Sequence, residues 1–178
     1  MLNGDYGTHL PLLVQAVSKQ QTGLVVELGC GVFSTPILHA LCRQAGLMLY
    51  SLETDPEWCR QFTHLAWQGH LFPELPAISK QAPQILWEPV WRQALATLGQ
   101  TPLGVVFVDQ APAAARIWTM QQLRERTAVF VVHDTECQRD YEYEPTLSSF
   151  RYRKDYKRLT PWTSLVSDTV SFSDWEDL

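Results

Sequence analysis

The chain has no Cys-x-x-Cys pair among its four cysteines and no His pair spaced to complete a zinc pattern. A structural zinc site is therefore excluded, and Cys30, Cys42, Cys59 and Cys137 are expected to be reduced and mostly buried. No apolar run approaches the ~20 residues that cross a bilayer. Residues Met1–Thr8 are polar with no basic stretch, so no secretory leader is expected and a soluble, cytoplasmic protein is the simplest reading. Positive charge is in the minority: 14 Lys and Arg stand against 19 Asp and Glu, net −5, which disfavours a dedicated nucleic-acid surface. Internal repeats, low-complexity tracts and Gly/Ser linkers are missing too. What is there is 178 residues, 46% of them hydrophobic, enough for one sizeable core, and residues 1–178 are read as a single domain. Seven Trp is a high count; most are expected in that core, with one or two near strand ends placed to flank a planar ligand.

Two kinds of segment alternate. Leu24–Leu28, Met48–Glu53, Gln84–Trp87, Val105–Asp109 and Ala128–Val132 are near-continuous apolar runs of strand length, as expected for strands covered on both faces of a parallel sheet. Between them lie stripes at helical spacing: Leu10, Leu13, Val14 and Val17; Trp58, Phe62, Leu65 and Ala66; Val90, Ala94, Leu95 and Leu98; and, more loosely, Ala113, Ile117, Met120 and Leu123. Pro36, Pro56, Pro89 and Pro112 stand where helices should begin, a position that tolerates the missing N–H, with Thr35 and Asp55 as N-caps for two of them. Strand–turn–helix repeated in this way predicts right-handed βαβ units and an α/β fold with a parallel sheet. The last third departs from this: Phe150–Leu159 and Ser164–Phe172 read as an antiparallel hairpin about a turn at 160–163, with Arg151, Arg153, Lys154, Lys157 and Arg158 guarding an exposed edge.

In an open α/β sheet, ligands bind at the carboxyl ends of the strands. The first strand ends in Glu27-Leu28-Gly29-Cys30-Gly31, whose glycines let a ligand approach the backbone, and Ser34-Thr35-Pro36 then open a helix. The second strand ends in Glu53, 22 residues beyond Gly31, a carboxylate placed to accept both ribose hydroxyls of an adenosine. A dinucleotide site needs a third glycine where Ser34 stands. Glu27 would repel a pyrophosphate but suits a cationic group, which favours S-adenosylmethionine over a nicotinamide cofactor. An acid inside an apolar buried strand is costly without a purpose.

On these residues the chain resembles the class I S-adenosylmethionine-dependent methyltransferases. Val25-Val26-Glu27-Leu28-Gly29-Cys30-Gly31 looks like their first motif and Ser51-Leu52-Glu53-Thr54-Asp55 is similar to their second; Val108-Asp109 and Val132-His133-Asp134-Thr135 stand where their fourth and fifth strands end. The resemblance covers nearly the whole chain. It implies a Rossmann-like domain with a mostly parallel seven-stranded sheet in the order 3-2-1-4-5-7-6, helices on both faces and a terminal antiparallel hairpin. It also implies a cofactor site of Glu27, Gly29, Cys30, Gly31, Ser34, Thr35, Glu53, Thr54, Trp87 and Asp109. Many members have Gly where Phe33 stands, so the loop is shaped differently and Ser34 and Thr35 are expected to reach the amino-acid end of the cofactor. Trp87 and Glu88 would border the adenine, Trp87 stacking on it or packing in the core.

Methyl transfer is an in-line displacement at a methyl sulfonium, in which the enzyme positions the nucleophile and removes its proton. Asp109, His133 and Asp134, with Glu136 behind them, are the candidate bases. Asp109 and Asp134 also stand where catechol-type enzymes place two magnesium ligands, but Thr135 replaces the Asn that follows there, so a metal-free site is favoured over a divalent cation. The segment Asp5-Tyr6-Gly7-Thr8-His9 lies where the family's leading loop covers the cofactor, with Thr8 otherwise an ordinary N-cap. The expected function is methyl transfer to a small-molecule acceptor, oxygen rather than nitrogen, since Asp109-Gln110-Ala111-Pro112 is no amide- or base-methylating motif. The rivals are a methyltransferase-like binding module without catalysis and a nicotinamide-dependent oxidoreductase. The lidless domain leaves room for a second copy to close the site.

Overall fold

The computed structural model describes residues 7–20, 22–136 and 141–176. Its elements run α1 (Leu10–Lys19), β1 (Leu24–Leu28), α2 (Ser34–Ala45), β2 (Leu49–Leu52), α3 (Pro56–Cys59), β3 (His70–Leu71), α4 (Gln84–Ala96), β4 (Leu103–Val108), α5 (Ala113–Leu123), β5 (Thr127–His133), α6 (Tyr143–Leu147), β6 (Tyr152–Tyr156) and β7 (Thr163–Ser167). The seven strands form one sheet in the order β3-β2-β1-β4-β5-β7-β6. The β3-β2-β1-β4-β5 part is parallel, and β7 joins β5 antiparallel with β6 outside it.

Alternation along the strands divides the core. Val25, Leu49, Val105, Phe107, Val129, Val131 and Leu165 face α1, α2 and the C-terminal Phe172 and Trp175. Val26, Leu28, Leu52, Val106, Val108, Phe130, Val132 and Val166 face α4, α5 and α6. Both faces of the central strands are covered, which is why these segments read as continuous apolar runs. No helix among the described residues is long and apolar enough to cross a membrane.

The third strand lies elsewhere than expected. Gln84–Trp87 begins α4, and β3 is only His70–Leu71. Trp87, Trp91, Ala94 and Leu95 are the buried face of α4, a helical stripe that starts inside the supposed strand, while Ile85 and Leu86 are exposed. Pro89 is inside this helix rather than at its start. The backbone acceptor its missing N–H would have used belongs to Ile85, which lies open to water. The stripe over 58–66 forms only the short α3 and a 3-10 turn at Thr63–Leu65. Asp55 does cap α3, accepting from the N–H groups of Glu57 and Trp58, but Thr35 lies within α2 and caps nothing. The basic arm is the sheet's edge strand β6, where Arg153 is held by Asp155 and Glu144 at 2.7 Å each.

Candidate functional site

The ends of β1 and β4 meet backbone to backbone. Gly29 has φ +90°, and a Cβ there would lie 2.7 Å from the carbonyl oxygen of Asp109, so only glycine fits. The turn is tied to the end of β2 as well: the Gly29 N–H donates to the carbonyl of Leu52, and the Cys30 N–H donates to Glu53 Oε2 at 3.0 Å. Glu53 Oε1 accepts from the N–H groups of Thr54 and Asp55 at 2.7 and 2.9 Å. Burial raises the Glu53 pKa despite these three donors. Trp58 closes over the turn, donating its indole N–H to the Cys30 carbonyl at 2.6 Å.

Glu27 is fully buried beneath the turn. Its Oε1 accepts from Thr35 Oγ1 at 2.9 Å and its Oε2 from Ser51 Oγ at 2.6 Å. Among the described residues no cation pairs with it. Burial lifts its pKa to about 7, although the hydroxyls of Ser34, Ser51 and Thr35 pull the other way. Thr35 also accepts from the Gly31 N–H at 2.9 Å, and Ser34 is buried against Gly31. Both side chains therefore support the turn from inside instead of reaching outward from it. Thr54 is buried and its carbonyl accepts from the Ile78 N–H, which brings the 73–83 segment to the end of β2. Of the two places read for Trp87 the structure has the core, where it packs edge-on to Trp118.

The second half of the site is a four-charge cluster. Arg116, reaching in from α5, meets Asp109 Oδ1 and Asp134 Oδ2 at 2.9 Å each. The same guanidinium donates to the Gln110 and Asp109 carbonyls and to the Tyr143 hydroxyl, and it stacks on the Tyr141 ring. His133 Nδ1 makes a long hydrogen bond to Asp109 Oδ1 at 3.4 Å and lies 3.5 Å from Asp134 Oδ1. On the other side, Thr8 Oγ1 gives its one proton to the Pro161 carbonyl at 2.7 Å, so it accepts from His133 Nε2 at 3.1 Å. Nε2 then carries a proton and Nδ1 faces two carboxylates, surroundings that favour the charged ring. Burial would lower its pKa, but the bond to Asp109 and the charges of Asp109 and Asp134 raise it. For Asp109, burial pushes upward and is outweighed by His133 and Arg116, which hold it below its ordinary value.

One ligand atom each of Asp109, His133 and Asp134 lie within 4.8 Å of one another, a grouping of the kind that holds a cation. The donor set does not fit one, because Arg116 already bridges the two carboxylates. Glu136 turns away to accept from the Trp162 N–H at 2.7 Å. Thr8 touches the cluster rather than capping α1, whose N-cap is His9. Asp5 and Tyr6 lie outside the described residues. Sequence reasoning missed Arg116, Trp58, His70 and Ile78; of these only Arg116 left a signal, as a lone charge between apolar stripe residues of α5.

The sheet order is that of the class I methyltransferase fold. The solved structures similar to this chain agree. The human methyltransferase 10 domain containing protein is 12% identical with a TM-score of 0.56, over 90% of this chain and 79% of that one. A METTL16 MTase domain is 11% identical with a TM-score of 0.58, over 91% and 67%. The N-terminal domain of human METTL16 in complex with SAH is 10% identical with a TM-score of 0.53, over 96% and 73%. At these identities the likeness is one of fold. No family model and no curated protein matches the chain in sequence.

Proposed function

We propose that this protein is an enzyme that transfers a methyl group from S-adenosylmethionine to a small-molecule acceptor, with oxygen as the acceptor atom. The observation that carries the cofactor is Glu27, a buried acid under a glycine turn with no cation to neutralise it among the described residues. It suits a ligand bearing an ammonium and a sulfonium, and would oppose a pyrophosphate. Glu53 keeps lone pairs for a ribose, Gly29, Cys30 and Gly31 supply the backbone cradle, and Thr54 with the 73–83 segment borders the adenine. When bound, the cofactor supplies an electrophilic methyl group.

The acceptor side argues for oxygen. His133 is held toward its charged form by Asp109 and Asp134, and both carboxylates are engaged by Arg116, so the site offers little free base for an ammonium acceptor. It suits an acceptor that ionises by itself near neutral pH, a carboxylic acid or an acidic phenol, with Arg116 and His133 drawing the oxyanion in and orientation supplying the rate. The chain's net charge of −5 supports a small acceptor over a nucleic-acid polyanion. The same lack of a base favours, as a second reading, a module that binds the cofactor without turnover. Calorimetry with S-adenosylhomocysteine and NAD tests the cofactor, the former alone being expected to bind. Release of S-adenosylhomocysteine during incubation with a panel of phenols and carboxylic acids separates an enzyme from the binding module.

A further inference from the structure

We propose that His39, His70 and Ser51 form a proton path between solvent and the Glu27 carboxyl, so that outside pH sets the charge of the buried acid by reversing one hydrogen-bonded chain. The links are short and continuous. Glu27 Oε2 meets Ser51 Oγ at 2.6 Å, Ser51 Oγ meets His70 Nε2 at 2.9 Å, and His70 Nδ1 meets His39 Nδ1 at 3.1 Å. Glu27, Ser51 and His70 are wholly buried, while His39, on α2, is half-buried. The two imidazole centroids are 5.4 Å apart, which is the nitrogen–nitrogen distance plus a ring radius at each end. The nitrogens therefore point straight at each other, as in a hydrogen bond, rather than converging on a shared metal ion.

The far side of Glu27 fixes where its proton goes. The Gly31 N–H can only donate, so the Thr35 hydroxyl accepts from it and gives its own proton to Glu27 Oε1. A neutral Glu27 must therefore carry its proton on Oε2, toward Ser51. With Glu27 ionised, Ser51 donates to Oε2, His70 donates from Nε2 to Ser51, and His39 donates from Nδ1 to His70 Nδ1. Uptake of one solvent proton at His39 Nε2 shifts a proton along every link. His39 Nδ1–H passes to His70 Nδ1, His70 Nε2–H to Ser51, and the Ser51 proton to Glu27 Oε2. Every hydrogen bond survives with its direction reversed, and the net change is one proton on Glu27.

The electrostatics suit conduction. Burial holds His70 down to about 4, helped by His39, and burial with the charges of Arg43 and His64 lowers His39. Both rings stay neutral near pH 7 and pass a proton on rather than store it. The other titratable groups facing the path are Asp109 beyond the end of β4, Glu53 beyond β2, and the thiols of Cys30, Cys42 and Cys59. Asp109, held below its ordinary value, is charged near neutrality and favours protonation of Glu27, while the Cys42 thiol is pushed up to about 12 and does not compete.

The consequence for ligands rests on the cofactor reading: an ionised Glu27 attracts a cationic cofactor, and a protonated one does not. The path itself is tested without any ligand, by nitrogen NMR of the 15N-histidine-labelled protein between pH 5.5 and 8.5. The expected result is that Nδ1 and Nε2 of His70 exchange protonated and bare signatures with a midpoint near the Glu27 value of about 7, the His70 ring itself not becoming an imidazolium. In Glu27→Gln, a near-isosteric change, the exchange should vanish. Shifts that do not move across this range, or a swap that persists in Glu27→Gln, would overturn the path. Calorimetry of S-adenosylhomocysteine in buffers of different ionisation enthalpy then tests the coupling. At the midpoint about half a proton should leave per ligand bound, and affinity should fall about tenfold per pH unit below it. Binding without proton release overturns the coupling but not the path. An absence of binding overturns the cofactor reading, and the tautomer exchange still decides the path.

Discussion

Replacing Arg116 with Met should be among the most damaging changes to this fold, and damaging in a pH-dependent way. The guanidinium side chain is 8% exposed, and those of Asp109 and Asp134 are 26% and 18% exposed. The substitution keeps much of the volume but leaves the two carboxylates with only His133 and the Tyr141 hydroxyl among the described residues beside them, and it strips the Gln110 and Asp109 carbonyls of a donor. Breaking a buried ion pair from one side costs about 3–5 kcal/mol. In a domain of this size that lowers Tm by about 10 °C. Equilibrium urea unfolding at pH 7 measures the loss directly. The sign with pH follows from Asp109. In the native protein its pKa is depressed, so its stabilisation is present above the unfolded value and lost as pH falls. Without Arg116 burial dominates and raises it, so the variant carries a penalty near neutrality that protonation relieves. The gap between wild type and variant should thus shrink between pH 7 and pH 4.5. A loss below about 1 kcal/mol at pH 7, the value of an ordinary exposed pair, or a gap that widens in acid, would refute the reasoning.

Glu53→Ala should weaken S-adenosylhomocysteine binding by about 1.5–3 kcal/mol, read by calorimetry, and should also cost stability because three backbone N–H groups lose their acceptor. Gly29→Ala forces a Cβ against the Asp109 carbonyl at positive φ, so it should cost more than the ~1–2 kcal/mol of the left-handed conformation alone, measured by thermal unfolding. Turnover, once an acceptor is found, should survive chelator, since Arg116 fills the place between the carboxylates; loss of activity rescued by magnesium would make Asp109 and Asp134 ligands after all. For His133→Gln the raised pKa sets the sign: the wild-type advantage is fully present below the unfolded value of about 6.5 and fades as pH rises through the folded one, visible in urea midpoints at pH 6 and pH 9.

Sheet order and the glycine turn were legible because the central strands are buried on both faces and the turn needs residues that nothing else can replace. The third strand was not. A two-residue strand carries no periodicity, and Gln84–Trp87 offered a more apolar run nearby. The strand-end place read for Trp87 depended on that strand. Glu27 and Glu53 announced themselves as acids where apolar residues belong. The proton on His133 Nε2 could not be read from the chain, because it follows from Thr8, 125 residues away, giving its own proton to Pro161. The inward turn of Thr35 was hidden for a similar reason: a hydroxyl at the start of a helix reads as a cap until the acid it serves is located.

The contact between Gly29 and Asp109 makes the two halves of the site one mechanical piece. A change that tilts the turn under the proposed methyl donor must drag the acids of the proposed acceptor cluster with it, because no side chain lies between to absorb the motion. Divergence toward new acceptors in proteins built this way is therefore channelled away from the strand ends. It falls to the segments that hang over them, the 73–83 stretch and the turn that carries Pro161, where a substitution can reshape the opening without moving its floor.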